Sequence, residues 1–92
     1  MKRYVIERDI PNIGNFDRDQ FCHAATMSNA ALAQLGGQVQ WVHSYVVQNK
    51  TFCIYLSPNE AMVHEHAKLS GFPVTTITEA MAVIDPTTAH AA

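Results

Sequence analysis

The side chains of this sequence that could do chemistry are mainly metal donors. It contains five histidines and two cysteines. Two of the histidines stand close together in the segment His64-Glu65-His66. Residues two apart on a helix project about 200° from each other, so these imidazoles cannot share one ion. The segment also differs from HExxH, whose histidines lie on one helix face. The two histidines are therefore independent candidates.

His66 lies in the apolar arc of its predicted helix, whereas His64 lies on the polar side with Glu60 and Lys68. The position of His64 favours a solvated surface side chain. A core-facing imidazole must be hydrogen bonded, or its desolvation costs roughly 1–3 kcal/mol. His66 is thus either a satisfied core histidine, the more frequent case, or a metal ligand.

His43 is the strongest single candidate for a metal ligand. Strand alternation places it between Trp41 and Tyr45 on one face of a predicted strand. An imidazole suits a late first-row metal, proton transfer or the anchoring of a polar ligand, although a hydrogen-bonded interface histidine is the more common case. Glu7 could add a carboxylate and Cys53 a soft ligand. The candidate metal ligands are therefore His43, Glu7, Cys53 and His66.

The remaining candidates are weaker. His23 and Asp19 form an i, i+4 pair on the outer face of a predicted helix, where a solvated face is the default. His90 lies in the tail. The sequence has no nucleophile motif, no phosphate-binding glycine loop and no dinucleotide fingerprint. These patterns favour binding over catalysis.

The elements that must position these side chains follow the order β-α-β-β-α-β. Asp17 and Gln20 form a capping box that opens the first helix, and Gly36-Gly37 ends it. The second helix begins with Ser57 as N-cap and Pro58 at its first position, and ends at Gly71. With right-handed crossovers this order predicts a ferredoxin-like α+β domain over residues 1–84, with an antiparallel four-stranded sheet, both helices on one face, and a tail at 85–92.

The hairpin at residues 41–57 is apolar on both faces, so both faces need a cover. A three-residue turn, Gln48 to Lys50, would place Val42, Ser44, Val46, Phe52, Ile54 and Leu56 under the helices. A two-residue turn would exchange the faces of the second strand. Preferring the first register, we expect the uncovered face to carry Trp41, His43, Tyr45, Cys53 and Tyr55. Two such faces packed together would make a dimeric α/β barrel, with Trp41, Tyr45 and Tyr55 lining its interior.

Composition limits the classes of partner. Apolar residues are 48% and charged residues 15% of the 92-residue sequence, which favours a surface buried in a homodimer. A net charge of −2 without a basic stripe argues against nucleic acid. The sequence shows neither a signal peptide nor an apolar run long enough to span a membrane, so we expect a cytoplasmic protein with free thiols.

Several segments resemble a known family. They are RYVIERDIP, QWVHSYV, NKTFCIY, EHAKLSGFP and VIDPTTA, and together they span most of the chain. They are similar to the small bacterial nickel-binding proteins long catalogued as a domain of unknown function. The resemblance implies a dimeric ferredoxin-like α/β barrel that binds nickel or another divalent metal. The nickel-binding branch is rich in histidine on its first strand, whereas this strand carries Glu7, Arg8 and Asp9.

Three functions are consistent with these patterns. The first is a non-catalytic, dimeric divalent-metal protein, completed by one histidine and one glutamate from each subunit. The second is a cofactor-poor oxygenase or isomerase with a small apolar ligand, in which His43 and Tyr45 act on a substrate between sheet and helices. The third is a dimeric interaction module whose aromatic face serves only assembly.

Overall fold

The computed structural model describes residues 1–90. It contains four strands, two α-helices and two short 3-10 turns. The strands are β1 (Lys2–Asp9), β2 (Gln40–Val46), β3 (Lys50–Ser57) and β4 (Thr76–Ala80). The helices are α1 (Arg18–Gln34) and α2 (Glu60–Ser70), and the 3-10 turns are Ile13–Asn15 and Pro86–His90. Ala91 and Ala92, the end of the predicted tail, lie outside the described residues.

The four strands form one antiparallel sheet in the order β2-β3-β1-β4. The two crossover helices join β1 to β2 and β3 to β4. This arrangement confirms the predicted ferredoxin-like α+β fold. Its strands alternate side chains between two faces, so each strand contributes to two chemically separate surfaces.

The helices cover one face of the sheet, which we call the covered face. Its buried side chains are Tyr4, Ile6 and Arg8 from β1 with Thr51, Cys53, Tyr55 and Ser57 from β3. Val63 of α2 joins the hydrophobic core there, and Leu32 of α1 packs against it. Burial of these apolar groups is the main force that holds the helices on the sheet.

Local capping explains where the helices begin and end. In α1 the Asp17 carboxylate accepts from the Gln20 N–H at 2.8 Å, and the Gln20 side chain accepts from the Asp17 N–H at 2.8 Å. The predicted capping box is therefore confirmed. Gly71 ends α2 in the left-handed conformation, with φ of 81°, as the sequence predicted.

The predicted N-cap of α2 was wrong. Asn59 caps this helix, since its side-chain oxygen accepts from the Met62 N–H at 3.0 Å. The Ser57 hydroxyl instead donates to the Asn59 carbonyl at 2.8 Å. Asn satisfies the orphan N–H groups as well as Ser does, so the helix starts two residues later without losing its cap.

The predicted hairpin register was also wrong. The Val47 N–H donates to the Lys50 carbonyl at 3.0 Å and Val46 pairs with Thr51, so the turn has two residues, Gln48 and Asn49. This turn exchanges the faces of β3, which brings Cys53 and Tyr55 beneath the helices and moves Phe52, Ile54 and Leu56 to the opposite side.

A β-bulge in β2 shows that the predicted face of Trp41 was also wrong. The pairing of β2 with β3 shifts between Trp41 and His43, where Val42 is the extra residue. Trp41 therefore shares the covered face with Tyr55, while His43 pairs with Ile54 on the other face. Of the five residues predicted for the uncovered face, only His43 and Tyr45 lie there.

The uncovered side of the sheet, which we call the open face, is apolar along its centre. Val5, Phe52, Ile54 and Leu56 are half-buried, and the Tyr45 side chain is 61% exposed. Its other members are Arg3, Glu7, Gln40, His43, Thr76, Thr78 and Ala80. Both α-helices lie on the opposite side, so residues 1–90 leave this face without a helical cover.

None of the helices formed by residues 1–90 has the length and apolar character needed to cross a bilayer.

Candidate functional site

The four predicted metal ligands fall into two groups on opposite sides of the sheet. Glu7 and His43 belong to the open face, whereas Cys53 and His66 belong to the buried layer between sheet and helices. One ion cannot contact both groups in a single subunit. Residues 1–90 contain no group of three or more His, Cys, Asp or Glu side chains positioned to hold a metal.

His43 is exposed on the open face at the edge strand β2. Its ring meets the Tyr45 ring edge-on, with centroids 5.0 Å apart and planes at 76°. The bulge at Val42 directs His43 to this face and Trp41 to the other. The imidazole is therefore held beside an aromatic ring while its nitrogens remain accessible.

Glu7 presents an ionised carboxylate on the same face. The Thr76 hydroxyl donates to Oε2 at 2.9 Å, and Lys50 Nζ donates to Oε1 at 3.3 Å. The hydrogen bond from Thr76 and, next, that from Lys50 lower the pKa of Glu7 below its usual value. The carboxylate is thus in the charged form that a hard or borderline cation requires.

Strand β3 separates the two open-face donors. Glu7 pairs with Phe52, whereas His43 pairs with Ile54, two residues further along β3. Strands lie about 4.8 Å apart, so side chains on β1 and β2 are separated by roughly two such spacings. Imidazole and carboxylate donors suit nickel, but one subunit supplies too few of them in one place.

His66 is fully buried and contacts both helices and the sheet. Its Nε2 lies 3.2 Å from the Ser28 hydroxyl and 3.3 Å from the Ser28 carbonyl, and its ring centroid is 5.0 Å from that of Tyr55. Burial lowers the pKa of His66, although the Ser28 carbonyl acts against this shift. The sequence-based alternative of a hydrogen-bonded core histidine describes this environment.

A cavity of about 240 Å³ lies between α1 and the covered face. Trp41, Cys53 and Tyr55 line it together with Arg8, a residue that the sequence analysis did not select. Burial raises the pKa of the Tyr55 hydroxyl, so this phenol stays protonated. Alternation along β1 was the available signal for Arg8, because it shares a face with Tyr4 and Ile6.

The fold and its open face define a small ferredoxin-like α+β domain that presents imidazole and carboxylate donors on an uncovered sheet. The chain belongs to the family described as nickel responsive protein SCO4226-like, whose model matches residues 4–80. No curated protein sequence matches the chain.

Among solved structures, the chain is similar to SCO4226 from Streptomyces coelicolor A3(2). That crystal structure matches with a TM-score of 0.74 at 13% sequence identity, covering 89% of this chain and 99% of that chain. At this identity the likeness establishes a shared fold alone.

Proposed function

We propose that this protein is a non-catalytic, nickel-binding homodimer whose two open faces pack together and hold the metal between them. The position of His43 carries the proposal. It is the accessible imidazole of the one sheet face that the helices leave uncovered, in a chain of a nickel-responsive family.

The apolar centre of the open face supports pairing with a second copy of the chain. Phe52, Ile54 and Leu56 form a continuous stripe on β3 that helices of the same chain do not reach. Such contiguous apolar patches on soluble proteins mark interaction sites. A twofold arrangement would present the same stripe from both copies, so that each covers the other.

Pairing would also resolve the shortage of metal donors. Each copy contributes one imidazole, His43, and one ionised carboxylate, Glu7, to the shared interior. Two copies offer up to four nitrogen and oxygen donors, a set that suits nickel or a related late first-row ion. Cys53 and His66 lie on the other side of the sheet and take no part.

In the alternative of a small enzyme, His43 and Tyr45 would act on a substrate held between sheet and helices. His43 and Tyr45 lie on the open face, whereas the space between sheet and helices is lined by residues of the covered face. These two side chains therefore cannot act on a substrate bound there. A dimeric interaction module remains the alternative that a metal-binding measurement must exclude.

Calorimetric titration with nickel chloride tests the proposal, with protein mass measured in the same samples. We expect micromolar uptake by a homodimer, and binding weakened about tenfold or more by His43→Ala, since even outer-shell changes at metal sites cost 10–100-fold. His64→Ala is the matched control, because His64 is an exposed histidine on α2. It should bind nickel like the parent protein.

Two results would overturn this function. One is the absence of uptake of nickel, cobalt, zinc and copper at micromolar concentration, which would leave the interaction module. The other is equal loss of binding in the His43 and His64 variants, which would indicate nonspecific surface binding.

A further inference from the structure

The cavity beneath α1 differs chemically from the open face. Its volume is about 240 Å³, far more than the roughly 10–15 Å³ that a single buried water molecule needs. Apolar side chains dominate its wall, among them Ile13, Phe21, Ala25 and Phe72. Among the residues of the range 1–90 that line it, Arg8 alone carries a formal charge. The cavity is therefore a small apolar chamber with one cation.

The guanidinium of Arg8 is buried with part of its hydrogen-bonding capacity unused. The residue is 2% exposed, and its Nη1 donates to the Pro73 carbonyl at 2.9 Å. Its Nη2 is also buried, yet has no hydrogen-bond partner among residues 1–90. A guanidinium cannot shed its charge by losing a proton, so the missing partner leaves a costly buried donor.

No carboxylate of residues 1–90 compensates this charge. The ion pairs in that range join Lys2 to Glu79 and Lys50 to both Glu7 and Asp9. A buried charge without a counter-ion is strongly destabilising unless something supplies one. The protein therefore holds a cation where an anion of suitable size would be stabilised.

Two aromatic rings contact the guanidinium instead. Its central carbon lies 5.8 Å from the ring centroids of both Tyr55 and Phe72. Cation–π contacts of this kind contribute only part of what a carboxylate supplies. The Tyr55 hydroxyl also interacts with the Arg8 side chain, whereas Nη2 itself has no partner within residues 1–90.

We propose that this cavity binds a small apolar monocarboxylate, with Nη2 of Arg8 donating to the carboxylate and the apolar body held against α1. A single free donor in an apolar chamber suits one negative charge better than the several charged oxygens of a phosphate, which call for more donors. The cavity lies on the opposite side of the sheet from His43, so this inference does not depend on nickel binding.

Benzoate and benzamide provide a matched pair of probes, because they share size and shape but differ in charge. Titrations use the 92-residue protein without added metal, followed by calorimetry and by NMR shifts of residues around the cavity. We expect benzoate to bind, benzamide to bind at least about tenfold more weakly, and inorganic phosphate not to bind. Equal affinity for benzoate and benzamide, or no binding of benzoate, would overturn the inference.

Three variants separate a ligand site from a structural role of Arg8. Ala25→Leu fills the cavity and keeps the charge, so it should weaken benzoate binding about tenfold or more. Arg8→Met should abolish binding without lowering Tm in the absence of ligand, because it removes an uncompensated charge. Arg3→Met, on the open face, is the control and should bind normally.

Retention of benzoate binding by Arg8→Met would contradict the proposal, as would normal binding by Ala25→Leu. If Arg8→Met fails to fold, the Ala25→Leu variant and the benzoate–benzamide difference still decide the question.

Discussion

The two faces of the sheet use the same four strands for different purposes. On the covered face Ile6 is fully buried, as is His66 of α2, which packs on that face, and polar groups such as Arg8 are enclosed with them. On the open face, apolar side chains are only half-buried, and donors such as His43 remain accessible. Strand alternation separates these chemistries, together with the bulge at Val42 and the two-residue turn of the hairpin. The covered face is therefore enclosed by the helices, whereas the open face is the one to which we assign assembly and metal binding.

The largest expected effect comes from a matched pair of isoleucines, one on each face. Ile6→Ala should lower the free energy of unfolding by about 2–5 kcal/mol, because the fully buried side chain leaves a cavity. Ile54→Ala should lower the free energy of unfolding by less at low protein concentration, because the open face is then half-exposed. The loss should be larger at protein concentrations where dimers form. Urea unfolding at two protein concentrations measures both. Equal, concentration-independent losses would remove the distinction between the faces.

A smaller loss of stability is expected from a substitution at Gly14. This residue lies in the 3-10 turn Ile13–Asn15, where the turn meets the hairpin at the end of the cavity. A Cβ on Gly14 would lie 2.8 Å from the Gln48 Cα and 3.0 Å from the Val47 carbonyl oxygen. Gly14→Ala should therefore lower the free energy of unfolding by about 1–3 kcal/mol, since the backbone must shift. Asn15→Ala, at the exposed neighbouring position, should change it by about 0.5 kcal/mol or less. Similar stability of the two variants would mean that the turn adjusts freely.

The buried imidazole of His66 should make the free energy of unfolding depend on pH. The pKa of His66 is lowered from 6.5, so the unfolded chain binds more protons than the folded chain in acid. The free energy of unfolding should thus fall as pH decreases from about 6.5 through the folded-state pKa. His66→Leu should reduce this slope, whereas exposed His64→Ala should not. Urea unfolding between pH 4.5 and 8, chosen to span about two units on either side of the imidazole pKa, gives the slopes. An unchanged slope in His66→Leu would contradict the assignment.

The smallest effect concerns the carboxylate of the open face. Thr76→Val should raise the pKa of Glu7, because the hydrogen bond from Thr76 is the largest single cause of its lowering, and Lys50→Ala should raise this pKa as well. Carboxyl chemical shifts followed through an acid titration measure the two changes. An unchanged pKa of Glu7 in Thr76→Val would show that this hydrogen bond does not lower the pKa of the carboxylate.

The sequence predicted the fold because its local signals agree with one another. The element order, the capping box at Asp17 and Gln20, and the glycine after α2 all point to the same topology. Each of these signals acts within a few residues. The order of strands in the sheet then follows from the handedness of the two crossovers.

The lining of the two faces was harder to predict, because two small backbone features act together. The turn at Gln48-Asn49 exchanges the faces of β3, and the bulge at Val42 separates Trp41 from His43. His43 and Tyr45 keep their predicted face because they follow the bulge and precede the turn. Cys53 and Tyr55 do not, since they come after the turn.

The burial of Arg8 was not predicted, for a different reason. A charged residue in a strand is normally assigned to solvent, and its burial depends on contacts with Phe72 and Pro73, more than sixty residues away. Sequence spacing does not reveal such a contact. The alternation of β1 with Tyr4 and Ile6 was the only local indication.

Native mass spectrometry of the protein with and without nickel tests the central claim most directly, because one spectrum reports both chain number and bound metal. We expect a species of two chains that carries nickel, and a His43→Ala protein that remains a dimer but carries clearly less nickel than the parent protein at a nickel concentration below saturation. Nickel bound to single chains, or nickel carried by the His43→Ala dimer in the same amount as by the parent dimer, would contradict the assignment of the open face.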